Sequence, residues 1–313
     1  MRPRDRLLAA TVPVLWGINF PATALALAHW PPFLGGALRF ALLALPTLLF
    51  VPRPAVKWRW ILAMGLTLGV GQFAFLYLAM ANGMPSGLAS LVLQASAPFT
   101  VVLGVVLLGE RMSLWRAVGV GMSVSGLAMI ALDRSHAAPL PAVLLTLAGG
   151  LSWALGNLSS RQAKPDRPLA LTLWMSVVPP LPLFALSWVF EGPDRIGTAF
   201  ATALTPAALP ANLGLLYIVL AATVLGYGIW NTLLSRYPSA QVAPWSMLVP
   251  VVGVLASWAA FDEVPGGVEI AAGALVVTGV LVATGALRPP VRPPAELPSP
   301  AGEELESRPG VLA

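Results

Sequence analysis

The residues of this sequence that have chemistry to offer are a few polar side chains set within long apolar runs. They are Asn19, Arg39, Gln72, Gln94, Asn157, Tyr227 and Asn231. In hydrocarbon, a polar group needs a hydrogen-bonding partner or a water-filled cavity, because leaving it unpaired is costly. Each of these residues therefore predicts either a contact between helices or a position along the pathway of a polar molecule.

Two of the amides lie beside a tryptophan in matching parts of the chain. Asn19 follows Trp16, and Asn157 follows Trp153. In a shared cavity the amide would supply hydrogen bonds and the indole a flat apolar or cation–π surface, a combination that suits a zwitterion such as an amino acid. The alternative is that the amides bond to neighbouring backbones and hold helices together. The sequence leaves both interpretations open.

Arg39 is the only formal charge inside a predicted span. It lies six residues into the second apolar run, roughly 9 Å along the helix axis from that run's start. It can reach the external surface, serve a structural or gating role, or bind a substrate carboxylate. Gln72 and Gln94 are better pathway candidates, because an uncharged amide costs less to keep inside the membrane than a charge and therefore need not extend to the surface. Their alternative is a hydrogen bond between helices.

The sequence offers no signature of an enzyme or of a bound cofactor. It has no cysteine, no metalloprotease or nucleophile-elbow motif and no phosphate loop. A serine nucleophile would need a base, and the span interiors hold neither histidine nor aspartate. All thirteen carboxylates fall in loops, at span ends or in the C-terminal tail. We therefore expect no enzyme, no metal, no cofactor and no buried carboxylate relay.

The composition predicts a membrane protein. Apolar residues make up 57% of the chain and charged residues 10%, with a mean hydropathy of +0.80. About 20 apolar residues are needed to cross roughly 30 Å of hydrocarbon as a helix. Ten such spans are predicted, near 7–27, 33–51, 59–80, 86–108, 114–132, 139–160, 169–190, 212–233, 239–261 and 267–287.

The positive charges predict the orientation of these spans. Fifteen arginines and lysines fall on one side, and only Arg134 and Arg195 fall on the other. This bias predicts a multi-pass protein of the cytoplasmic membrane with both termini in the cytoplasm. Because membrane topology accounts for the positions of the basic residues, we do not expect the protein to bind nucleic acid. We expect the lipid bilayer and a small molecule as its partners, and we expect a monomer.

The two halves of the chain are similar to each other. The segment Gln72–Arg111 matches Gly226–Val264, so that Glu110 corresponds to Glu263 at an offset of about 153 residues. Five spans per half is an odd number, so the fold class predicted is an all-α membrane protein of ten helices in two inverted five-helix repeats. The repeats should cover 1–135 and 136–288, with a disordered proline-rich cytoplasmic tail at 289–313.

The repeat assigns roles to several residues at span ends and bends. Glu110 should be cytoplasmic and Glu263 external, each capping a helix or pairing with nearby arginines. Pro98 and Pro250 correspond between the halves and are the predicted hinges, because proline removes a backbone hydrogen bond and bends its helix. An inverted repeat places a site near the middle of the membrane, between the halves.

At these residues the chain resembles the EamA family of the drug/metabolite transporter superfamily. The ten spans, the duplication and the Gly-Glu-Arg after the fourth span are similar to that family's pattern, although the ninth span ends in Phe-Asp-Glu-Val. Members that export O-acetylserine and cysteine are more similar still, in the runs VLWGINF (14–20), LRF (38–40), QFAFL (72–76), GMPSGLASLVLQA (83–95), SWALGN (152–157), GYGIW (226–230) and APWSMLVPVVG (243–253).

The resemblance implies export of small amino-acid metabolites without ATP, by alternating access around a cavity lined by helices one, three, four, six, eight and nine. An exporter of other amino acids or of drug-like aromatic compounds is the alternative within the same class. A non-transporting membrane sensor or scaffold is the alternative from another class. Its sign would be a dry interior in which Asn19, Gln72, Gln94 and Asn157 all bond to protein.

Overall fold

The computed structural model describes residues 1–132, 138–237 and 242–284, and all regular structure in these ranges is helical. Each predicted span overlaps one helical segment, and residues 239–241 of the ninth predicted span and 285–287 of the tenth lie outside the described residues. The segments are α1 (Pro3–Leu27), α2 (Pro32–Phe50), α3 (Trp58–Ala81), α4 (Ser86–Leu108), α5 (Leu114–Leu132), α6 (Leu140–Ala163), α7 (Pro168–Phe190), α8 (Pro206–Arg236), α9 (Val249–Phe261) and α10 (Gly267–Thr284). A short helix, Pro193–Ala201, connects α7 to α8. The predicted tail, 289–313, lies outside the described residues.

The lengths and the exposed side chains are those of an all-helical membrane protein. Seven of the segments are long and apolar enough to cross a membrane by length and composition, and the apolar parts of α5, α9 and α10 are shorter. Large apolar side chains are exposed on the outside, among them Phe50 at 79%, Leu181 at 80% and Phe190 at 70%. Such a surface is unfavourable in water and suits lipid tails.

Four helices contain π-helical or 3₁₀ stretches at matching places in the two halves, and α7 is interrupted at 176–179, between Pro168–Met175 and Pro180–Phe190. A π-helical stretch interrupts α3 at Gly65–Gly71 and α8 at Ile218–Leu225. A 3₁₀ turn, Leu93–Ala95, precedes Pro98 in α4, and another, Ala243–Leu248, precedes Pro250 at the start of α9. Because proline has no N–H to donate to the preceding turn, the chain tightens there. The predicted hinges therefore coincide with irregular helix, and their movement stays a prediction.

The packing of the helices interleaves the two halves. α1 packs against α8 and α9, whereas α6 packs against α3 and α4. The first helix of each half thus contacts the third and fourth helices of the other half. The second helices, α2 and α7, pack together, as do the fifth helices, α5 and α10. Equivalent helices make equivalent contacts, which is the pattern of a pseudo-two-fold arrangement.

Glycines permit the close contacts of both first helices. A Cβ on Gly17 of α1 would lie 2.5 Å from Val252 Cγ1 of α9 and 2.9 Å from the backbone nitrogen of Gly253. A Cβ on Gly156 of α6 would lie 2.8 Å from Leu68 Cβ in the π-helical part of α3. Small residues at such crossings let backbones approach closely, which is how helices associate in lipid. These two crossings hold α1 and α6 beside the space between the halves.

Candidate functional site

All nine candidate pathway residues line one cavity of about 430 Å³. They are Trp16, Asn19, Arg39, Gln72, Gln94, Trp153, Asn157, Tyr227 and Asn231. Both halves contribute, through the helices expected to line it and through α2 and α7 as well. Its volume is within the range of about 300–1,000 Å³ that is usual for small-molecule sites.

The α1 side of the cavity combines aromatic rings with a free acceptor. The ring of Trp16 lies 5.1 Å from that of Tyr227 and 5.3 Å from that of Trp230, measured between centroids. Trp16 Nε1 donates a hydrogen bond of 2.9 Å to the carbonyl of Ala222, in the π-helical part of α8, which fixes the indole. Asn19 Oδ1 is buried and accepts no hydrogen bond within the described part of the chain.

Trp230 was missed in the sequence analysis. It follows Tyr227 by three residues, and residues three apart lie on the same face of a helix. That spacing was the available signal. In the structure it completes a group of three rings around the cavity wall.

Arg39 is held inside the protein and does not reach the external surface, which was one of the three roles that the sequence left open for it. Its residue is only 5% exposed. The guanidinium donates to Tyr77 Oη at 3.2 Å and to Thr223 Oγ1 at 3.3 Å, and it lies 4.0 Å from the centroid of the Phe73 ring. These partners come from α3 and α8, one from each half, and they compete successfully with solvent for a side chain that is long enough to leave.

The amides divide into bonded and free groups. Asn157 Nδ2 donates to Thr100 Oγ1 at 3.2 Å, and Asn231 Nδ2 donates to the carbonyl of Tyr227 at 2.8 Å. Gln72 and Gln94 are 5% and 9% exposed, and neither amide group hydrogen-bonds to the described residues. Because buried amides normally find a partner, these two are positioned to hydrogen-bond with the contents of the cavity.

The cavity reaches one end of the helix bundle. Its lining extends to Ser160, Pro168, Thr172 and Leu234, which lie near the ends of α6, α7 and α8 that carry Arg161, Arg167 and Arg236. At this same end Glu110 pairs with Arg161 and lies 4.0 Å from Arg116, as its position in the sequence predicted. The cavity is thus continuous with the arginine-rich ends of the helices.

Two carboxylates tie helices together at the opposite end. Glu263, just after α9, accepts hydrogen bonds from the backbone nitrogens of Ser86 at 3.2 Å and Gly87 at 2.9 Å, at the start of α4. Glu191, just after α7, accepts from the nitrogens of Phe33 at 2.7 Å and Leu34 at 3.1 Å, at the start of α2. A carboxylate satisfies the free N–H groups of a helix start and interacts favourably with its dipole. These contacts link α9 to α4 and α7 to α2 at this end.

Comparison with known proteins identifies the family. The EamA-like transporter family matches residues 6–132 and 140–285, one segment in each half. A Salmonella typhimurium strain LT2 protein described as a probable amino-acid metabolite efflux pump is 40% identical over 278 residues, covering 87% of this chain and 91% of its own. An Escherichia coli strain K12 protein of the same description is 39% identical over 270 residues, covering 84% and 89%.

A solved crystal structure shares the fold. It has a TM-score of 0.56 at 22% sequence identity, and the match covers 91% of this chain and 97% of that one. Together with the two family segments, this likeness accounts for the duplicated helical architecture. The chain therefore belongs to the EamA-like transporter family, and it is a multi-pass membrane protein and not an enzyme.

Proposed function

We propose that this protein is a secondary exporter of small amino-acid metabolites, with O-acetylserine and cysteine as the leading substrates. The observation that carries the proposal is the cavity between the two halves, in which three polar side chains, Asn19, Gln72 and Gln94, have unbonded groups. The similarity to two probable amino-acid metabolite efflux pumps supports the substrate class. The runs of sequence shared with exporters of O-acetylserine and cysteine support the two named compounds.

The exporter works by alternating access between two inverted repeats of five transmembrane helices. The interleaved, pseudo-two-fold packing of equivalent helices supports this arrangement. The arginine-rich helix ends lie on the cytoplasmic side, together with both termini, as the positive charges indicate. In this orientation the cavity opens to the cytoplasm, where a substrate for export is loaded, and the contacts of Glu263 and Glu191 close the external side.

The free amides favour a transporter over a sensor or scaffold. A scaffold would have a dry interior in which Asn19, Gln72, Gln94 and Asn157 all bond to protein. Only Asn157 does so among the described residues. An exporter of other amino acids remains the second candidate, since a polar cavity of this size also accommodates them. Cationic drug-like compounds are disfavoured, because the lining carries the positive charge of Arg39.

The test is transport by the purified protein in proteoliposomes. Labelled O-acetylserine and cysteine are offered with and without an imposed pH gradient, and other amino acids are added as competitors. Saturable flux of either compound is the expected result, and its response to the gradient reports the coupling to protons. Flux of a different amino acid alone would replace the substrate, and an absence of flux for the whole panel would overturn the exporter.

A further inference from the structure

We propose that Arg39 is the anchor for the substrate's carboxylate, and that Asn19 with the aromatic group of Trp16, Tyr227 and Trp230 receives its ammonium group. This inference rests on the proposed function and deepens it. The cavity would then select molecules that carry both groups and reject amines that lack the carboxylate.

The cavity carries one uncompensated positive charge. Arg39 is the only charged residue among the described residues that line it. The three ion pairs found in the described ranges involve Glu110 and Asp5, and none includes Arg39. A guanidinium buried without a counter-ion is costly, and an anion brought into the same low-dielectric space relieves that cost. A cavity of this kind therefore attracts an anionic group.

The geometry of Arg39 leaves part of its fork available. One terminal nitrogen donates to Tyr77 and the other to Thr223, so each keeps a second N–H group for a carboxylate, whereas Nε is buried without a partner. The two neutral hydroxyls and the Phe73 ring fix the plane of the guanidinium without neutralising its charge. An arginine whose N–H groups are oriented in advance binds a carboxylate with little further loss of conformational freedom.

The α1 wall has the complementary chemistry. Asn19 Oδ1 is an acceptor without a donor, and an ammonium group is a donor that accepts nothing. The rings of Trp16, Tyr227 and Trp230 lie close together on the same wall and present π faces that attract a cation. No acidic side chain is found among the described lining residues, so a cation is held there only weakly by itself. A zwitterion therefore has a partner in the cavity for each of its charged groups.

Equilibrium binding to the detergent-purified protein tests the inference separately from transport. The probes are L-cysteine with cysteamine and L-phenylalanine with phenethylamine, two pairs in which only the first member has a carboxylate. In the wild type the amino acid of at least one pair should bind at least about tenfold more tightly than its amine. Arg39→Gln should weaken binding of that amino acid roughly 10- to 100-fold and leave the amine unchanged, so the preference disappears.

Matched variants separate this role from a structural one. Arg59→Gln removes an equal charge from an exposed position over Trp60, outside the cavity, and should keep the preference. Arg39→Lys keeps the positive charge but lacks the planar guanidinium, so it should retain part of the preference for the amino acid. Asn19→Leu should weaken binding of cysteine relative to N-acetylcysteine, which has no ammonium group. Melting temperatures of all variants are recorded.

The outcomes are distinct from those of the flux experiment. Three results would overturn the carboxylate anchor. They are amines that bind the wild type as tightly as their amino acids, an Arg39→Gln protein that keeps the preference for the amino acid, and the absence of binding for every probe. If Arg39→Gln does not fold, the comparison of amino acid with amine in the wild type still decides. A failed binding test with intact flux leaves the exporter in place, whereas failed flux with carboxylate-selective binding removes only the exporter.

Discussion

Gln94 lies where α4 tightens into a 3₁₀ turn, and its amide faces the cavity without a partner in the described structure. Replacing it with alanine removes a group that no atom of the described residues uses, so the folded protein loses little. A substrate loses one hydrogen bond of roughly 0.5–1.5 kcal/mol, which corresponds to a reduction in flux of up to about tenfold. We expect Gln94→Ala to lower cysteine flux in proteoliposomes at normal membrane abundance.

The matched control for Gln94 is Gln162→Ala, the same substitution at an exposed position near the end of α6. It should leave both abundance and flux at wild-type values. Equal losses of abundance and flux in Gln94→Ala would show instead that the amide holds the protein together. That result would return Gln94 to the hydrogen bond between helices that the sequence had left open.

At the scale of the elements, the crossing of α1 with α9 depends on the absence of a side chain at Gly17. A methyl group there would meet Val252 Cγ1 at 2.5 Å and the backbone of Gly253 at 2.9 Å, so the helices must separate. We expect Gly17→Ala to destabilise the protein by roughly 1–3 kcal/mol, as overpacking does. The melting temperature and the membrane abundance measure the effect.

Gly121→Ala is the control for this crossing, because a Cβ at Gly121 of α5 would meet nothing within 4 Å. It should be neutral or slightly stabilising, since alanine favours helix more than glycine does. If both variants melt at the wild-type temperature, then α1 and α9 are not held at the close distance seen here.

The contact of α9 with the start of α4 gives a second prediction for the elements. Glu263 accepts hydrogen bonds from the backbone N–H groups of Ser86 and Gly87, whereas the equivalent Glu110 is partly exposed and forms ion pairs. A charged cap contributes about 0.5–2 kcal/mol, and an exposed ion pair about 0–1 kcal/mol. Glu263→Gln should therefore lower the melting temperature more than Glu110→Gln. The opposite order, measured in the same detergent, would refute this account of the closed end.

The sequence predicted the elements that depend on local chemistry. The ten apolar runs were predicted, and the bends predicted at Pro98 and Pro250 are preceded by irregular helix. Hydropathy and the missing N–H of proline both act locally, so the sequence shows them directly. The amides of the cavity were predicted together with Trp16 and Trp153, since few polar residues occur in the runs.

The π-helical stretches and the setting of Arg39 were not predicted, because they depend on contacts between the halves. The stretch Ile218–Leu225 has neither glycine nor proline to announce it. Its Ala222 carbonyl accepts from Trp16 of α1, and the Thr67 carbonyl in the π stretch of α3 accepts from Ser152 of α6. Each π stretch thus provides a backbone carbonyl that accepts a hydrogen bond from the first helix of the other half. Such long-range partners are not visible in a local pattern.

At the scale of the whole molecule, the interleaving of the halves constrains how an exporter of this kind moves. Since α1 contacts α8 and α9, and α6 contacts α3 and α4, the halves cannot turn as two separate bodies. The first helices must shift against the π stretches and the proline turns that they contact. The irregular helix at these places supplies the backbone groups and bends that such a shift requires.

If the two repeats are inverted, equivalent loops of the two halves lie on opposite sides of the membrane. Ser113 and Gly266 occupy equivalent positions just before α5 and α10, and both are exposed. The chain has no cysteine, so single cysteines can be introduced without any background. In intact cells, a membrane-impermeant thiol reagent should label Gly266→Cys. Ser113→Cys should react only after the membrane is permeabilised, because an odd number of spans per half places equivalent loops on opposite sides.

Denatured protein serves as the control for this labelling, since both cysteines must then react equally. Asp166→Cys, in the loop between α6 and α7, should behave like Ser113→Cys, and Thr198→Cys, on the exposed face of the connecting helix, should behave like Gly266→Cys. Labelling of Ser113→Cys and Gly266→Cys from the same side would mean that the repeats run in parallel. The cavity would then lack the exchange of equivalent ends on which alternating access between inverted halves depends.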